Sequence, residues 1–272
     1  MEVRILEKRG NRTRFILRGA SVPFASALRR IALSEVPSMA IDDVFFYENT
    51  SILNDEYIAH RLGYIPLLTD LDSYVLPEEC SCNREMGCNK CRAMVTLEAE
   101  SDGTNIVVYS GDLKFEDKNI APVSDRIPII KLSGGQRVKL EAHAKLGRGK
   151  QYSKWQPVAV SAYKHMPVIN ISMKLCNACR RCVEVCHRKV FDLEEGKVVI
   201  RDLLNCTLCG ECVKVCEPAA LTVKADETAF IFTIESSGCL PVERVISEAM
   251  KILKAKAGEL ASEIKSIGGR KS

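Results

Sequence analysis

Eight cysteines fall in two runs of identical spacing, Cys176-x₂-Cys179-x₂-Cys182-x₃-Cys186 and Cys206-x₂-Cys209-x₂-Cys212-x₃-Cys216. Thiolates at that spacing are ligands for iron–sulfur clusters. The runs repeat one another at an offset of 30 residues, Cys-Asn-Ala-Cys-Arg-Arg-Cys-Val-Glu-Val-Cys against Cys-Thr-Leu-Cys-Gly-Glu-Cys-Val-Lys-Val-Cys. Four more cysteines, Cys80, Cys82, Cys88 and Cys91, lie within twelve residues, with Asn83, Gly87 and Asn89 suited to a turn between them. Four thiolates favour a closed tetrahedral zinc site of structural role, although the C-x-C start departs from the usual spacing. Unligated thiols or a redox-labile disulfide are the alternatives. Cys239 stands apart from all three groups and reads as a small buried apolar residue. With twelve of thirteen cysteines in ligand-like groups, a reducing compartment is expected, and with no apolar signal core in the first residues a cytoplasmic location.

Over roughly residues 168–226 the chain resembles the two-cluster ferredoxins. In that family the fourth cysteine of each run ligates the other cluster. The resemblance therefore implies two 4Fe–4S clusters, one on Cys176, Cys179, Cys182 and Cys216, the other on Cys206, Cys209, Cys212 and Cys186. The family usually places proline directly after the fourth cysteine; here His187 and Glu217-Pro218 follow. So small a module cannot fold on an apolar core alone, and cluster binding is expected to supply much of its folding energy. Arg180, Arg181, His187, Arg188 and Lys189 surround the first run. They would either raise its potential or dock an acidic partner.

The elements that must position these thiols can be read from periodicity. Short strands are expected at 2–7 and 12–18 around Gly10-Asn11. Ser21 caps a helix with Pro23 in its first turn and Phe24, Leu28 and Ile31 on one stripe, stopped by Pro37. A strand at 39–47 and a helix at 55–62 follow. From Arg92 to about Ser172 apolar residues alternate at Val95, Leu97 and Ala99, at Val138, Leu140, Ala142 and Ala144, and at Val158, Val160 and Ala162, which predicts a mostly antiparallel sheet. Strands at 189–193 and 197–201 form a hairpin turning at Glu195-Gly196, and another strand carries Phe230, Phe232 and Ile234. Pro241 opens a helix of about 27 residues with Glu243 in its first turn. That length suggests that part of its stripe packs on a partner.

The composition, 46% apolar and 27% charged over 272 residues with net charge +4, is that of a folded soluble protein without a membrane span. Residues 1–36 carry eight Arg/Lys against three Glu, and residues 41–79 carry nine Asp/Glu against Arg61 alone. The basic residues are scattered and lack interleaved aromatics, so a solvated or protein-facing surface is expected there. Leu132-Ser-Gly-Gly-Gln136 copies the signature of ATP-binding-cassette proteins, but no G-x-x-x-x-G-K-[ST] loop accompanies it. No flavin or nicotinamide fingerprint is present, and His60, His143, His165 and His187 are scattered, His143 reading as structural. An electron-transfer iron–sulfur protein or oxidoreductase subunit remains the alternative to a protein shaped by its clusters.

The stretches Phe24-Ala-Ser-Ala-Leu-Arg-Arg-Ile-Ala-Leu-Ser-Glu-Val-Pro37, Met39-Ala-Ile-Asp-Asp-Val and Leu53-Asn-Asp-Glu-Tyr-Ile-Ala-His-Arg-Leu-Gly-Tyr-Ile-Pro66 resemble the alpha-like subunits of DNA-directed RNA polymerase. The inserted cysteines narrow the resemblance to archaeal members, and it spans essentially the whole chain. It implies an α+β fold: a discontinuous dimerisation domain at 1–44 and 224–272, an inserted strand-rich domain at 45–166 with the cysteine loop 80–91, and a ferredoxin-like two-cluster domain at 167–223. It implies a non-catalytic assembly subunit that pairs with the smaller alpha-like subunit L and serves as platform for the large catalytic subunits, meeting nucleic acid only through the assembled polymerase. The helix at 22–35 and the C-terminal helix would meet subunit L through Phe24, Leu28, Ile31, Val245, Ala249, Ile252, Leu253 and Leu260. Arg29 and Arg30 match the family's double-arginine position, which meets a large subunit, and Cys80–Cys91 matches its zinc loop. Nucleotidyl transfer needs carboxylates around two magnesium ions. No aspartate cluster of that sort is read here, so no catalytic residue is assigned.

Overall fold

The structure, a computed structural model, describes residues 1–82, 84 and 87–268. Asn83 of the expected turn and residues 269–272 lie outside the described residues. Helices and strands are mixed, with strand-rich insertions between the first helix and the last. Strands β1 (Glu2–Arg9) and β2 (Arg12–Arg18) are joined at Gly10, whose φ of 52° suits a residue without Cβ. Helix α1 (Val22–Ser34) starts where expected: the Phe24 N–H donates to Ser21 Oγ at 3.4 Å. Then come β3 (Pro37–Asn49), α2 (Asp55–Gly63), β4 (Arg92–Glu100), β5 (Ile106–Tyr109), β6 (Lys114–Phe115), β7 (Pro128–Leu132) and β8 (Arg137–Arg148). The remainder runs β9 (Val158–Ile171), α3 (Arg181–Val185), β10 (Phe191–Glu194), β11 (Lys197–Ile200), α4 (Glu211–Lys214), β12 (Leu221–Ser236) and α5 (Val242–Gly268).

The chain divides into two compact units. The first gathers Met1–Lys8, Thr13–Ser26 and Ala162–Thr233. Its sheet has the order β1-β2-β12-β9. Phe15 of β2 stacks on Phe232 of β12 with ring centroids 5.2 Å apart, and Tyr163 of β9 meets Phe230 edge-on at 5.4 Å. Strand β12 is longer than the apolar alternation at 230–234 suggests. Its first half carries exposed Thr222, Lys224 and Glu227 and owes its extension to flanking strands on both sides. Beside the sheet, β10 and β11 pair antiparallel with Glu194 opposite Lys197. Glu195 (φ 47°) and Gly196 (φ 73°) make the two-residue turn, both left-handed as a type I′ hairpin requires. The apolar core here is small: Ile169, Val190, Phe191, Val198 and Leu221 pack with Cys206 and Cys212.

The second unit comprises Arg9–Arg12, Ala27–Ser161 and the chain from Ile234 on. Its main sheet, β3-β8-β4-β6, is antiparallel throughout. Val138, Leu140, Ala142, Ala144 and Leu146 of β8 point to the core with Met39, Ile41, Val95 and Leu97, and Ile58 and Leu62 of α2 close over them. The odd-numbered positions of β8 face the other way. His143 is therefore on the polar face, Nε2 3.1 Å from Glu141 Oε1 and ring edge-on to Phe45. The pattern at Val158, Val160 and Ala162 does lie in a strand, but only Val158 is buried. The Leu132–Gln136 stretch is a packing turn: Gln136 N–H donates to the Ser133 carbonyl at 3.0 Å, and any Cβ on Gly134 would stand 2.7 Å from the Gly103 carbonyl oxygen.

Helix α5 is 27 residues, about 40 Å long at 1.5 Å per residue. No helix among the described residues is long and apolar enough to cross a membrane.

Candidate functional site

The four cysteines between residues 80 and 91 converge in the second unit. Their sulfurs all lie within 4.8 Å of one another, with Cys80–Cys88 at 3.7 Å and Cys82–Cys91 and Cys88–Cys91 at 3.9 Å. A single ion with metal–sulfur bonds of about 2.3 Å in tetrahedral geometry requires sulfurs about 3.8 Å apart. The group can therefore hold one metal ion, and four thiolates would leave no open coordination position.

Local folding explains the convergence. Arg148 of β8 reaches Glu78 at 2.7 Å and Glu79 at 2.8 Å, fixing the short 3₁₀ turn Pro77–Glu79 that leads into Cys80. On the return side the Cys91 and Arg92 N–H groups both donate to the Cys88 carbonyl at 2.9 Å, and the Cys88 N–H donates to Cys91 Sγ at 3.2 Å. Gly87 has φ 72°, and a Cβ there would stand 2.8 Å from the Arg92 side chain. The Lys90 backbone N–H holds Cys88 down at about 7, whereas burial pushes Cys91 up to about 12.

The eight cysteines of the duplicated runs all lie in the first unit. Cys206, Cys209 and Cys212 line a cavity of about 210 Å³, and the fourth thiol in its wall is Cys186 from the other run. Val190, Phe191 and Val223 form its apolar side. Burial pushes Cys212 up to about 11, and the neighbouring Cys186, Cys206 and Cys209 add to that shift. Cys182 is likewise pushed up by burial first, then by Cys179, Cys176 and Cys216. Cys186 thus lines one cavity with the three leading thiols of the second run, and Cys216 is near enough to the first run to act on Cys182. Among the described residues neither set closes to the 4.8 Å of the Cys80–Cys91 group. A four-iron cube, unlike a single ion, needs its thiolates held farther apart.

The sequence repeat is also a repeat of backbone geometry. Ala178 (φ 54°) corresponds to Leu208 (φ 60°), Arg180 (66°) to Gly210 (77°), and Lys189 (51°) to Ala219 (49°), each 30 residues on. Left-handed conformations at non-glycine residues cost about 1–2 kcal/mol each. Their recurrence at matched positions follows the repeat of the cysteine runs. Leu208 N–H and Val190 N–H point at Cys206 Sγ and Cys186 Sγ, at 3.5 and 3.4 Å.

The expected partner residues occupy three kinds of environment. Leu28, Ile31, Val245 and Ala249 are buried, their apolar surface already covered within this chain. Phe24, Ile252 and Leu253 are half-buried. Leu260 is 59% exposed, and so are Ile264 (60%) and Ile267 (69%), one apolar row at spacings of four and three. Every residue from Lys254 to Ile267 is exposed. Arg29 is half-buried with its carbonyl accepting from Ser161 Oγ at 3.2 Å, and Arg30 is exposed. Cys239 is buried, with Ser237 Oγ donating to its sulfur at 3.2 Å. Sequence reasoning missed Arg148, Arg14 and Lys164, whose partners lie far along the chain and leave no local motif.

A family model described as the RNA polymerase Rpb3/Rpb11 dimerisation domain matches residues 14–257. The chain is 42% identical over 266 residues, 98% of either chain, to DNA-directed RNA polymerase subunit Rpo3 of Archaeoglobus fulgidus. It is 40% identical over 264 residues to that of Methanosphaera stadtmanae, covering 96% of this chain and 97% of the relative. With the subunit of Pyrococcus furiosus it shares 39% identity over 268 residues, 98% of either chain.

Proposed function

Because the chain belongs to the RNA polymerase Rpb3/Rpb11 dimerisation family, we propose that it is the larger of the two archaeal alpha-like subunits of DNA-directed RNA polymerase. It is a non-catalytic assembly subunit. It pairs with a second alpha-like chain, subunit L, and the pair forms the platform on which the large catalytic subunits dock. The dimerisation domain is assigned to 1–44 and 224–272, the strand-rich insertion to 45–166 and the cluster domain to 167–223.

The observation that carries this reading is the free half of α5. Leu260, Ile264 and Ile267 form an apolar row that this chain leaves exposed, on a helix far too long to be needed for its own core. A second helix laid along that row would cover it. Co-expression with the smaller alpha-like chain tests the assignment: a stable one-to-one complex in gel filtration is expected, and two chains that elute separately would overturn it.

The thiols complete the proposal. The duplicated runs are assigned two 4Fe–4S clusters on crossed thiol sets, a reading supported by the cavity that Cys186 shares with Cys206, Cys209 and Cys212 and by the matched loops. The Cys80–Cys91 group fits structural zinc, supported by its sulfur spacings. Bound clusters would cross-link the two runs and contribute folding energy to a domain with little apolar core. The chain's own part is to hold the loops: the 178/208 and 180/210 turns converge the sulfurs, and Val190, Phe191 and Val223 keep water from one side of the second set.

A further inference from the structure

We infer that Lys164 and Arg14 form a cationic clamp that positions the second cysteine loop, retaining iron on Cys186, Cys206, Cys209 and Cys212 and tuning that site's electron affinity. The inference rests on the cluster reading given above. Lys164 stands on β9 and Arg14 on β2, the strands either side of β12. The Lys164 ammonium donates to the Leu204 carbonyl at 2.7 Å and the Cys206 carbonyl at 2.8 Å, and Arg14 Nη2 donates to the same Leu204 carbonyl at 3.1 Å. These carbonyls belong to the 3₁₀ turn Leu203–Asn205 and to the ligand that follows it, a turn closed at its start by the Asp202 carboxylate accepting from Asn205 N–H at 3.1 Å.

Three charge-assisted bonds thus fix the entry to one cysteine loop. The corresponding entry of the first loop is closed by backbone, with Cys176 N–H donating to the Ser172 carbonyl at 3.0 Å. A surface pair, Arg181 with Glu217, ties the first run to the end of the second. Lys164 and Arg14 converge on the one Leu204 carbonyl. Two cations are therefore held together against their repulsion, beside a site that carries net negative charge when four thiolates and a cluster occupy it. That juxtaposition stabilises the loaded site and favours its reduced state.

The test uses the full chain reconstituted anaerobically with ferric iron, sulfide and excess thiol as the reductant. Iron release to a ferrous chelator and the midpoint potentials are measured, with a Cys209→Ser variant marking the phase that belongs to the second site. Lys164→Met is expected to speed iron release from the second site about tenfold, the loss of one to two charged hydrogen bonds. It should also lower that site's potential and leave the first site unchanged, while Lys164→Arg restores both readouts. Equal acceleration at both sites, or wild-type behaviour at both, would overturn the clamp. If Lys164→Met does not accumulate folded, Arg14→Met must show the same selective change in smaller measure, and its failure to do so overturns the inference equally. Wild-type protein that takes up no iron on these cysteines would overturn the cluster reading itself, whereas a loaded wild type with an unaffected Lys164→Met overturns the clamp alone.

Discussion

Lys256 and Glu35 meet at 2.6 Å, an ammonium in the middle of α5 and a carboxylate one residue beyond α1. Past this tie every residue of α5 as far as Ile267 is exposed. The pair is half in solvent on the lysine side, so Lys256→Ala should cost less than about 1 kcal/mol of stability. Denaturant titration of the chain alone checks this.

The apolar row beyond it behaves differently. Leu260→Glu with Ile264→Glu should leave the chain's own stability nearly unchanged, because both side chains are already in water. Covering each by a partner is worth about 1.5–3 kcal/mol, so the double variant should weaken heterodimer formation at least about 100-fold. Titration calorimetry against the partner reads this directly. Unchanged affinity would place the interface elsewhere.

The Cys80–Cys91 group should lose metal on acidification. Thiols bind metal only as thiolates, and Cys91, held up at about 12 by burial, must give up its proton on loading even at neutral pH. Affinity therefore rises with pH and falls as protons compete. Cys91→Ser should abolish stoichiometric zinc, measured by elemental analysis, and lower the melting temperature.

Asp42 receives Lys145 and Lys154 at once. Burial raises its pKa, but hydrogen bonds from the two lysines outweigh it and the net shift is downward from 3.8. A lowered carboxylate pKa contributes stability that is fully present above 3.8 and disappears as pH falls through the lower folded value. Asp42→Asn should cost about 1 kcal/mol at pH 7, and the difference from wild type should vanish at strongly acid pH. A difference that persists there would mean packing, not charge, is responsible.

Ala219 holds φ at 49° on an exposed turn. Ala219→Gly should stabilise the chain by up to about 1 kcal/mol, the left-handed cost less the added freedom of the unfolded glycine. Thermal unfolding of the loaded protein checks the sign.

How much of this was legible depends on whether the signal is local. The start of α1 is written in Ser21-Val-Pro23, the hairpin turn in Glu195-Gly196, and the buried face of β8 in its alternation from Val138 to Leu146. The clustering of Cys80, Cys82, Cys88 and Cys91 within twelve residues announced the tight group. The true length of β12 was hidden, because Thr222 to Glu227 carry no apolar rhythm and are extended by neighbouring strands. Periodicity marked α5 as a helix but could not say which turns this chain covers, so Val245 and Leu260 read alike although one is fully buried and the other exposed. Lys164 and Arg14 were invisible, since Leu204 lies 40 and 190 residues away from them.

The proposed crossing of the thiols constrains how residues 167–223 can change. Cys186 stands in the wall of the cavity lined by the second run, and Cys216 adds to the upward shift of Cys182 in the first. With both clusters bound as proposed, the two halves would be interlocked, like hands each holding the other's wrist. Excising either half does not leave one intact site; it leaves three thiols in one place and a stranded thiol in another. With the crossed clusters as proposed, a single break between Val190 and Asn205 that lets the halves drift apart should dismantle both sites together.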